Sequence, residues 1–200
     1  RVLKWFVPGL KKQMMVEYDI LKKASPDIPM PSVHDLDEEN NVLVLTYISG
    51  DNLCDIINDI KTPKKDKERL MVLTAEWFSK FHTFFRENDQ FRIRGDPILH
   101  NFLLTDRIWG LDFEESRYGK PVEDIAGLCA SILSTDPMFT DEKFQLCEKF
   151  IQSYNGSVKW ILEDINSEIA YSLLEKIQWR PEDEEELRKY SKKIRKHGLH

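Results

Sequence analysis

One stretch interrupts a chain whose apolar residues otherwise follow helical spacing from residue 51 onward. Between Arg94 and Asp112 the pattern changes to two short apolar runs, Phe102-Leu103-Leu104 and Ile108-Trp109-Gly110-Leu111. Runs this short, bounded by polar residues, read as strands rather than helices. Oxygen-bearing side chains stand at their borders. Asp96 and Asn101 precede the first run, and Asp112 follows the second in Leu111-Asp112-Phe113-Glu114. A helical body with such a hairpin set into it limits the architectures open to the chain.

The remaining patterning divides at Ser49-Gly50. Before it, Val2 to Val7 reads as a strand broken by Pro8-Gly9. Residues 10 to 24 read as a helix with Met14, Met15, Tyr18 and Leu21 at helical spacing, ended by Ser25-Pro26. Val33 to Leu36 and Val42 to Tyr47 read as two strands around an acidic turn. After it, helices are expected from near Asp51, over 68–87, 121–134, 141–154, 157–177 and 182–197, with a charged link at Lys61 to Lys67. The 68–87 helix carries Leu70, Leu73, Trp77, Phe81 and Phe84 on one face. The expectation is an α+β chain in two parts. Residues 1–48 form a small sheet with one helix, and 49–200 form a mainly helical body. A nucleotide commonly binds at such a junction.

Composition narrows the classes. Of the 200 residues, 41% are hydrophobic and 32% charged, as in an ordinary globular chain. A net charge of -6 gives no strong nucleic-acid signal. No apolar run approaches a membrane span, and no signal peptide is seen. Cys54, Cys129 and Cys147 form no CxxC pair, and an odd count suits a reducing compartment, so a cytoplasmic location is expected. The chain begins with Arg1 inside a strand-like segment rather than with Met, so it is expected to lack its natural N-terminus.

The residues around the hairpin suit phosphoryl transfer. Asp96, on a short loop, can orient an acceptor hydroxyl and take its proton. Asn101 and Asp112 offer oxygen atoms to Mg²⁺, a hard cation. ATP and Mg²⁺ are the cofactors this donor set implies.

Arg94-Gly95-Asp96 to Asn101, then Leu111-Asp112-Phe113-Glu114-Glu115, resembles the catalytic core of the aminoglycoside and choline phosphotransferase branch of the protein-kinase-like superfamily. That branch has His-Gly-Asp-x-x-x-x-Asn and then an Ile-Asp-Phe/Trp-Glu type of metal motif. Tyr118-Gly119-Lys120-Pro121-Val122-Glu123-Asp124-Ile125-Ala126-Gly127-Leu128 is similar to the run that follows in the family. The resemblance covers nearly the whole chain, with its specificity between 94 and 128. It implies a two-lobed kinase-like fold with a truncated small N-lobe. It implies further that Asp124, at a helix start, braces the catalytic loop. Lys4 would meet nucleotide phosphates, with Glu17 as its ion-pair partner. Leu45, Thr46, Tyr47 and Ile48 would form a hinge whose backbone groups meet the adenine edge. His82 is expected to be a satisfied core histidine.

Four features depart from the family pattern. The Gly-rich phosphate loop expected before Lys4 is not in this sequence. Arg94 stands where the family has His. Pro97 directly follows Asp96, removing an N–H and biasing Asp96 toward extended backbone. Glu114 replaces the Gly of protein kinases and is expected to face solvent. Only twelve residues separate Asp112 from Asp124, with no Ala-Pro-Glu signature, so there is little room for an activation segment or peptide platform. A small hydroxyl compound is therefore the expected acceptor, and a protein partner stays open. Alternatives are an atypical Rio-like or tRNA-modification-associated protein kinase, and a pseudokinase-like binding module. Trp160, Tyr171 and Trp179, with Glu163, Asp164 and Glu168, are candidates for the acceptor side.

Overall fold

The computed structural model describes residues 1–23 and 25–199. Strand β1 (Val2–Trp5) is followed by α1 (Lys11–Lys23), β2 (Val33–Asp37) and β3 (Val42–Leu45). The end of the helix expected at residue 24 lies outside the described residues. The three strands form an antiparallel sheet in the order β1-β3-β2, with Lys4 opposite Leu43. Strand alternation sets the two faces of β1. Leu3 and Trp5 are exposed, whereas Lys4 points inward and its Nζ lies 4.9 Å from the centre of the buried Phe6 ring. Helix α1 buries Met14, Glu17, Ile20 and Leu21 on one side. An acid in the middle of that apolar face needs a partner.

Beyond the sheet, β4 (Asp51–Asn52) leads into α2 (Leu53–Asn58), which Asn52 caps by accepting from the Cys54 N–H. Helix α3 (Lys64–Phe84) starts earlier than expected. Pro63 precedes its first turn, and that turn is polar, so no apolar periodicity marks it. Its buried face runs through Met71, Phe78 and His82 as well as Leu70, Trp77 and Phe81. Phe84, expected inside, is 47% exposed. Strand β5 (Phe91–Ile93) follows, then the hairpin of β6 (Phe102–Leu104) and β7 (Ile108–Gly110), then β8 (Arg117–Gly119). β6 lies between β4 and β7, while β5 and β8 pair with each other.

Helices α4 (Pro121–Ser134), α5 (Asp141–Ser157), α6 (Ile165–Glu175) and α7 (Glu184–His197) complete the body, with 3₁₀ turns at Leu99–Asn101, Lys176–Gln178 and Pro181–Asp183. The helix expected from 157 begins only at Ile165. Val158 is extended, and Asp164 has a left-handed backbone that stops α6 from running backward. α3 packs on α5, and α6 packs on both α4 and α7.

A single buried cluster extends from Phe6, Met14 and Leu43 through Trp77 and Phe113 to Ile194. The loop before β2 reinforces it. Pro29 O accepts from both Gly110 N and Trp77 Nε1, at 3.0 and 3.1 Å. The first bond ties the loop before β2 to the hairpin, and the second ties it to α3. Among the described residues no helix is long and apolar enough to cross a membrane.

Candidate active site

The loop between β5 and β6 is held from below by one carboxylate. Asp124, fully buried in the first turns of α4, accepts from Arg94 N at 2.7 Å through Oδ2 and from Gly95 N at 3.1 Å through Oδ1. Its own helix is closed by a different acid, since Glu123 accepts from Lys120 N at 2.6 Å. Oδ2 also meets His82 Nε2 at 2.9 Å. Because a carboxylate only accepts, Nε2 carries the proton there, and Nδ1 accepts from Tyr154 O–H at 2.7 Å. Trp160 Nε1 then donates to the Tyr154 oxygen. His82 is thus a satisfied core residue.

Gly95 has φ +83°, and a Cβ there would lie 2.1 Å from Glu115 O. Only glycine lets the loop pass so close to the segment after β7. Pro97 packs over Gly127 of α4, where a Cβ would meet its ring at 2.6 Å. Leu99 N donates to Ser131 Oγ at 3.0 Å. Both sides of Asp96 are therefore fastened to one helix.

Asp96 is half-buried. Burial pushes its carboxyl above the usual range, opposed by the Asn101 hydrogen bond and the Arg94 charge. Asn101 Nδ2 donates to both Asp96 O and Asp96 Oδ2 at 3.1 Å, leaving Asn101 Oδ1 without a hydrogen bond among the described residues. Leu111 N donates to Asn101 O at 2.9 Å and ties the two halves of the site together.

Asp112 has φ +60°, a left-handed backbone that is strained for a non-glycine residue. Arg94 holds it there. That side chain is wholly buried, and Nη2 donates to Leu111 O at 2.6 Å and Asp112 O at 3.2 Å. The guanidinium lies 4.7 Å from the ring centres of Phe102 and Phe113. Burial lowers its pKa to about 10, with Asp124 opposing, so it stays charged near neutrality. Among the described residues its Nε and Nη1 lack partners.

The small sheet delivers Lys4 to the same place. Its Nζ lies 2.5 Å from Glu17, 2.6 Å from Asp112 and 2.8 Å from Glu114. Burial lowers the ammonium pKa, but Glu17 and Asp112 outweigh it and hold it above its ordinary value. Burial raises Glu17, with Lys4 opposing. Three carboxylates share one cation, and their oxygen atoms lie within 4.8 Å of one another. Glu114 therefore does not face solvent as expected, because the left-handed turn at Asp112 brings it back toward Lys4. The donor set, hard oxygens with surplus negative charge, fits a divalent cation such as Mg²⁺.

At the hinge the four expected residues differ. Leu45 pairs within the sheet with Val2 and Val33, and Thr46 N donates to Ser32 O at 2.9 Å. The Thr46 N–H is thus engaged and cannot meet a base, whereas among the described residues no hydrogen bond engages Thr46 O, so the expectation that backbone groups here meet the adenine edge narrows to that carbonyl and the residues after it. Tyr47 and Ile48 lie beyond the strand, and among the described residues no backbone hydrogen bond engages them.

Of the residues expected on the acceptor side, Trp160 and Glu163 line a cavity of about 500 Å³ with Phe91 and Tyr118. None of the residues around Asp96 or Lys4 borders it. Sequence reasoning missed Arg94 as a brace, Glu114 as a Lys4 partner and Ser131 as a loop anchor. An Asp-x-Glu pair after a strand could have signalled Glu114. Nothing in the spacing signals Ser131.

No family model and no curated protein sequence matches the chain. Its likeness to known proteins is one of structure. The gentamicin complex of APH(2")-IIa aligns with 98% of this chain and 86% of its own, at TM-score 0.63 and 11% identity. Choline kinase LicA from Streptococcus pneumoniae aligns over 98% and 84%, at TM-score 0.60 and 15% identity. The GDP complex of aminoglycoside 2'-phosphotransferase-IIIa aligns over 100% and 92%, at TM-score 0.55 and 11% identity. The chain has the protein-kinase-like fold. In that fold a small sheet-and-helix part stands over a mainly helical one, as β1–β3 and α1 stand over the rest of this chain.

Proposed function

We infer that the chain is a phosphotransferase that moves the γ-phosphoryl group of ATP to the hydroxyl of a small molecule. The observation that carries this reading is the convergence at Lys4. A lysine from β1 reaches Asp112, 108 residues away, beside an Asp96–Asn101 pair tied to the same loop. In this reading residues 1–48 form the nucleotide-binding part and 49–200 the part that carries the reacting groups.

The roles follow from the geometry. Asp96 accepts the proton of the acceptor hydroxyl as its oxygen forms a bond to the γ-phosphorus. The bond to the bridging oxygen breaks, and ADP leaves with the electron pair. The raised pKa of Asp96 makes it a better proton acceptor than an exposed aspartate. Lys4 places positive charge at the phosphates, and Glu17 fixes its position. Tyr47 and Ile48 offer backbone groups to the base. Asn101 Oδ1 and Asp112, with Glu114 nearby, would hold Mg²⁺. Magnesium, when bound, neutralises charge on the phosphate oxygens. Asp124 positions Asp96 through the backbone of Arg94 and Gly95.

Several observations favour a small acceptor and an active centre. The short segment between Asp112 and Asp124 is occupied by β8, which is paired to β5 and leaves no extended platform. Arg94 and Pro97, which depart from the family pattern, are built into the support of the loop. A GDP complex among the structural relatives supports a nucleotide as donor.

Magnesium-dependent ADP release in the presence of a panel of alcohols tests the reading. Asp96→Asn is expected to lower turnover on the order of 10²-fold or more, with nucleotide affinity nearly unchanged. Collapse of nucleotide affinity in Asp96→Asn, or equal affinity for ATP with and without Mg²⁺ in the native chain, would remove the assignment.

A further inference from the structure

The cavity beside β5 and β8 is not lined by the residues around Asp96 or Lys4, yet one of its walls is hydrogen-bonded through to the Asp96 loop. That wall is Trp160. Its Nε1 donates to the Tyr154 oxygen at 3.1 Å, and Tyr154 O–H donates to His82 Nδ1 at 2.7 Å. His82 Nε2 donates to Asp124 Oδ2 at 2.9 Å, and Asp124 accepts from Arg94 N and Gly95 N. Tyr154, His82 and Asp124 are all 0% exposed, so solvent cannot take over a link. A second wall leads to the same carboxylate. Lys120, Pro121 and Val122 line the cavity, and Asp124 follows in the same turn of α4.

The lining defines what can enter. Phe91 and Trp160 stand with ring centres 4.7 Å apart, tilted at 57°. Tyr118 is held by Arg92, whose guanidinium lies 4.4 Å from its ring centre, and by its O–H bond to Glu87 at 3.0 Å. Ile161, also on the lining, is 85% exposed, so an apolar side chain stands uncovered beside the rings. Three charged residues border this space. Asp89 is taken by Arg86 at 2.5 Å. The side chains of Lys120 and Glu163 make no hydrogen bond or ion pair among the described residues, and they do not pair with each other. The cavity thus offers one free cation, one free anion and aromatic walls in about 500 Å³. That volume lies in the range of small-molecule sites. A ligand with a single charge leaves one of the two groups unused, and one without a ring leaves the aromatic walls uncovered.

We propose that this cavity binds an aromatic amino acid as its zwitterion and that its occupancy tightens the Asp96 loop. The ligand carboxylate meets Lys120, its ammonium meets Glu163, and its ring packs on Phe91 and Trp160. A ring seated there fixes the indole of Trp160 and with it the Tyr154 oxygen. His82 and Asp124 are then held more firmly, and so are the Arg94 and Gly95 N–H groups on Asp124. The inference goes beyond the phosphotransferase reading, because neither the binding nor the tightening needs turnover.

Calorimetry on the whole chain tests the binding. The probes are L-phenylalanine, phenethylamine without the carboxylate, 3-phenylpropionate without the ammonium, and L-alanine without the ring. L-Phenylalanine is expected to bind about tenfold or more tighter than each of the others, the range of a hydrogen bond to a charged group. Lys120→Gln is expected to bring it down to the affinity of phenethylamine, and Glu163→Gln to that of 3-phenylpropionate. Equal binding by any of the other three probes overturns the proposal, and so does an L-phenylalanine affinity unmoved in either variant. Amide hydrogen exchange at Arg94 and Gly95 tests the coupling. L-Phenylalanine is expected to slow both about fivefold or more in the native chain. Trp160→Phe and Tyr154→Phe cut the hydrogen-bonded chain at different links and should abolish the slowing. Tyr154 does not line the cavity, so Tyr154→Phe decides the matter if Trp160→Phe also weakens binding. Unchanged exchange in the native chain, or slowing that survives in Tyr154→Phe, overturns the coupling. Absence of ADP release with every alcohol tried, with both effects intact, would count against the phosphotransferase reading alone.

Discussion

At the scale of single residues, Arg94 governs the site without being placed to touch a substrate. Its hydrogen bonds to the Leu111 and Asp112 carbonyls hold Asp112 in a left-handed conformation that the chain would otherwise leave. The same side chain buries two nitrogens that have no partner among the described residues. Each unpaired buried group costs about 1–3 kcal/mol, whereas each hydrogen bond made contributes about 1 kcal/mol. Removing the guanidinium therefore loses and gains similar amounts of stability. Arg94→Met is expected to melt within a few degrees of the native chain, while turnover falls on the order of tenfold or more. A melting curve and a rate measured on one preparation check this. A variant that loses stability and keeps its rate would show that Arg94 serves packing alone. The sequence marked Arg94 as a departure but not as a brace, because its partners are carbonyl oxygens. Every residue carries one, and no spacing rule singles out the pair that lies within reach. Asp96, Asn101 and Asp112 were legible because their side-chain chemistry is local and their spacing is fixed by one hairpin.

At the scale of elements, α1 and β1 are joined to the loop after β7 through Lys4. Glu17 is 1% exposed, and Lys4 is its nearest cation. Lys4→Met leaves that acid dry and uncompensated, which costs about 3–5 kcal/mol for a buried pair broken on one side. Replacing both members should be much milder. Lys4→Met/Glu17→Gln is expected to recover most of the loss, as two neutral groups need no counter-charge. Denaturant unfolding of the two single variants and the double variant reads the coupling; additive losses would mean that the two residues do not act as a pair. Glu17 was expected as the partner of Lys4 from the family resemblance, and the two lie 2.5 Å apart. The strands β5 and β8 were not legible in the sequence, because three residues are too few to display alternation, and Arg92 and Tyr118 in them are polar or exposed. The segment before α6 failed for the opposite reason. Val158, Ile161, Leu162 and Ile165 have helical spacing, yet Ile161 is 85% exposed, and the backbone at Asp164 breaks the run. Periodicity reports which residues prefer burial, and here tertiary packing buried only some of them.

At the scale of the whole molecule, the division at Ser49-Gly50 is a change of secondary structure and not a gap in the core. The buried cluster crosses it without interruption, and Pro29 O is bonded to both Trp77 and Gly110 on the far side. A chain with one continuous core should unfold in one step, so tertiary fluorescence and far-ultraviolet circular dichroism should give the same midpoint. Two separated midpoints would show that the first three strands and α1 melt on their own. Ligand binding sharpens the same experiment. A nucleotide held by Lys4 above and by the Asp112 loop below touches both sides of the division. Its binding energy should therefore appear as stability of the entire chain. At a concentration of 100 times Kd the gain is about 2.7 kcal/mol. For a chain of this size each 1 kcal/mol raises Tm by roughly 2–4 °C, so Mg²⁺ and ATP together should shift the single transition by roughly 5–11 °C. The shift should be lost without Mg²⁺, because the three carboxylates near Lys4 then repel the phosphates with only that lysine to offset them, and in Asp112→Ala, which removes a proposed ligand of the ion and leaves Glu17 and Glu114 facing the phosphates. An equal shift in Asp112→Ala would place the nucleotide away from this loop.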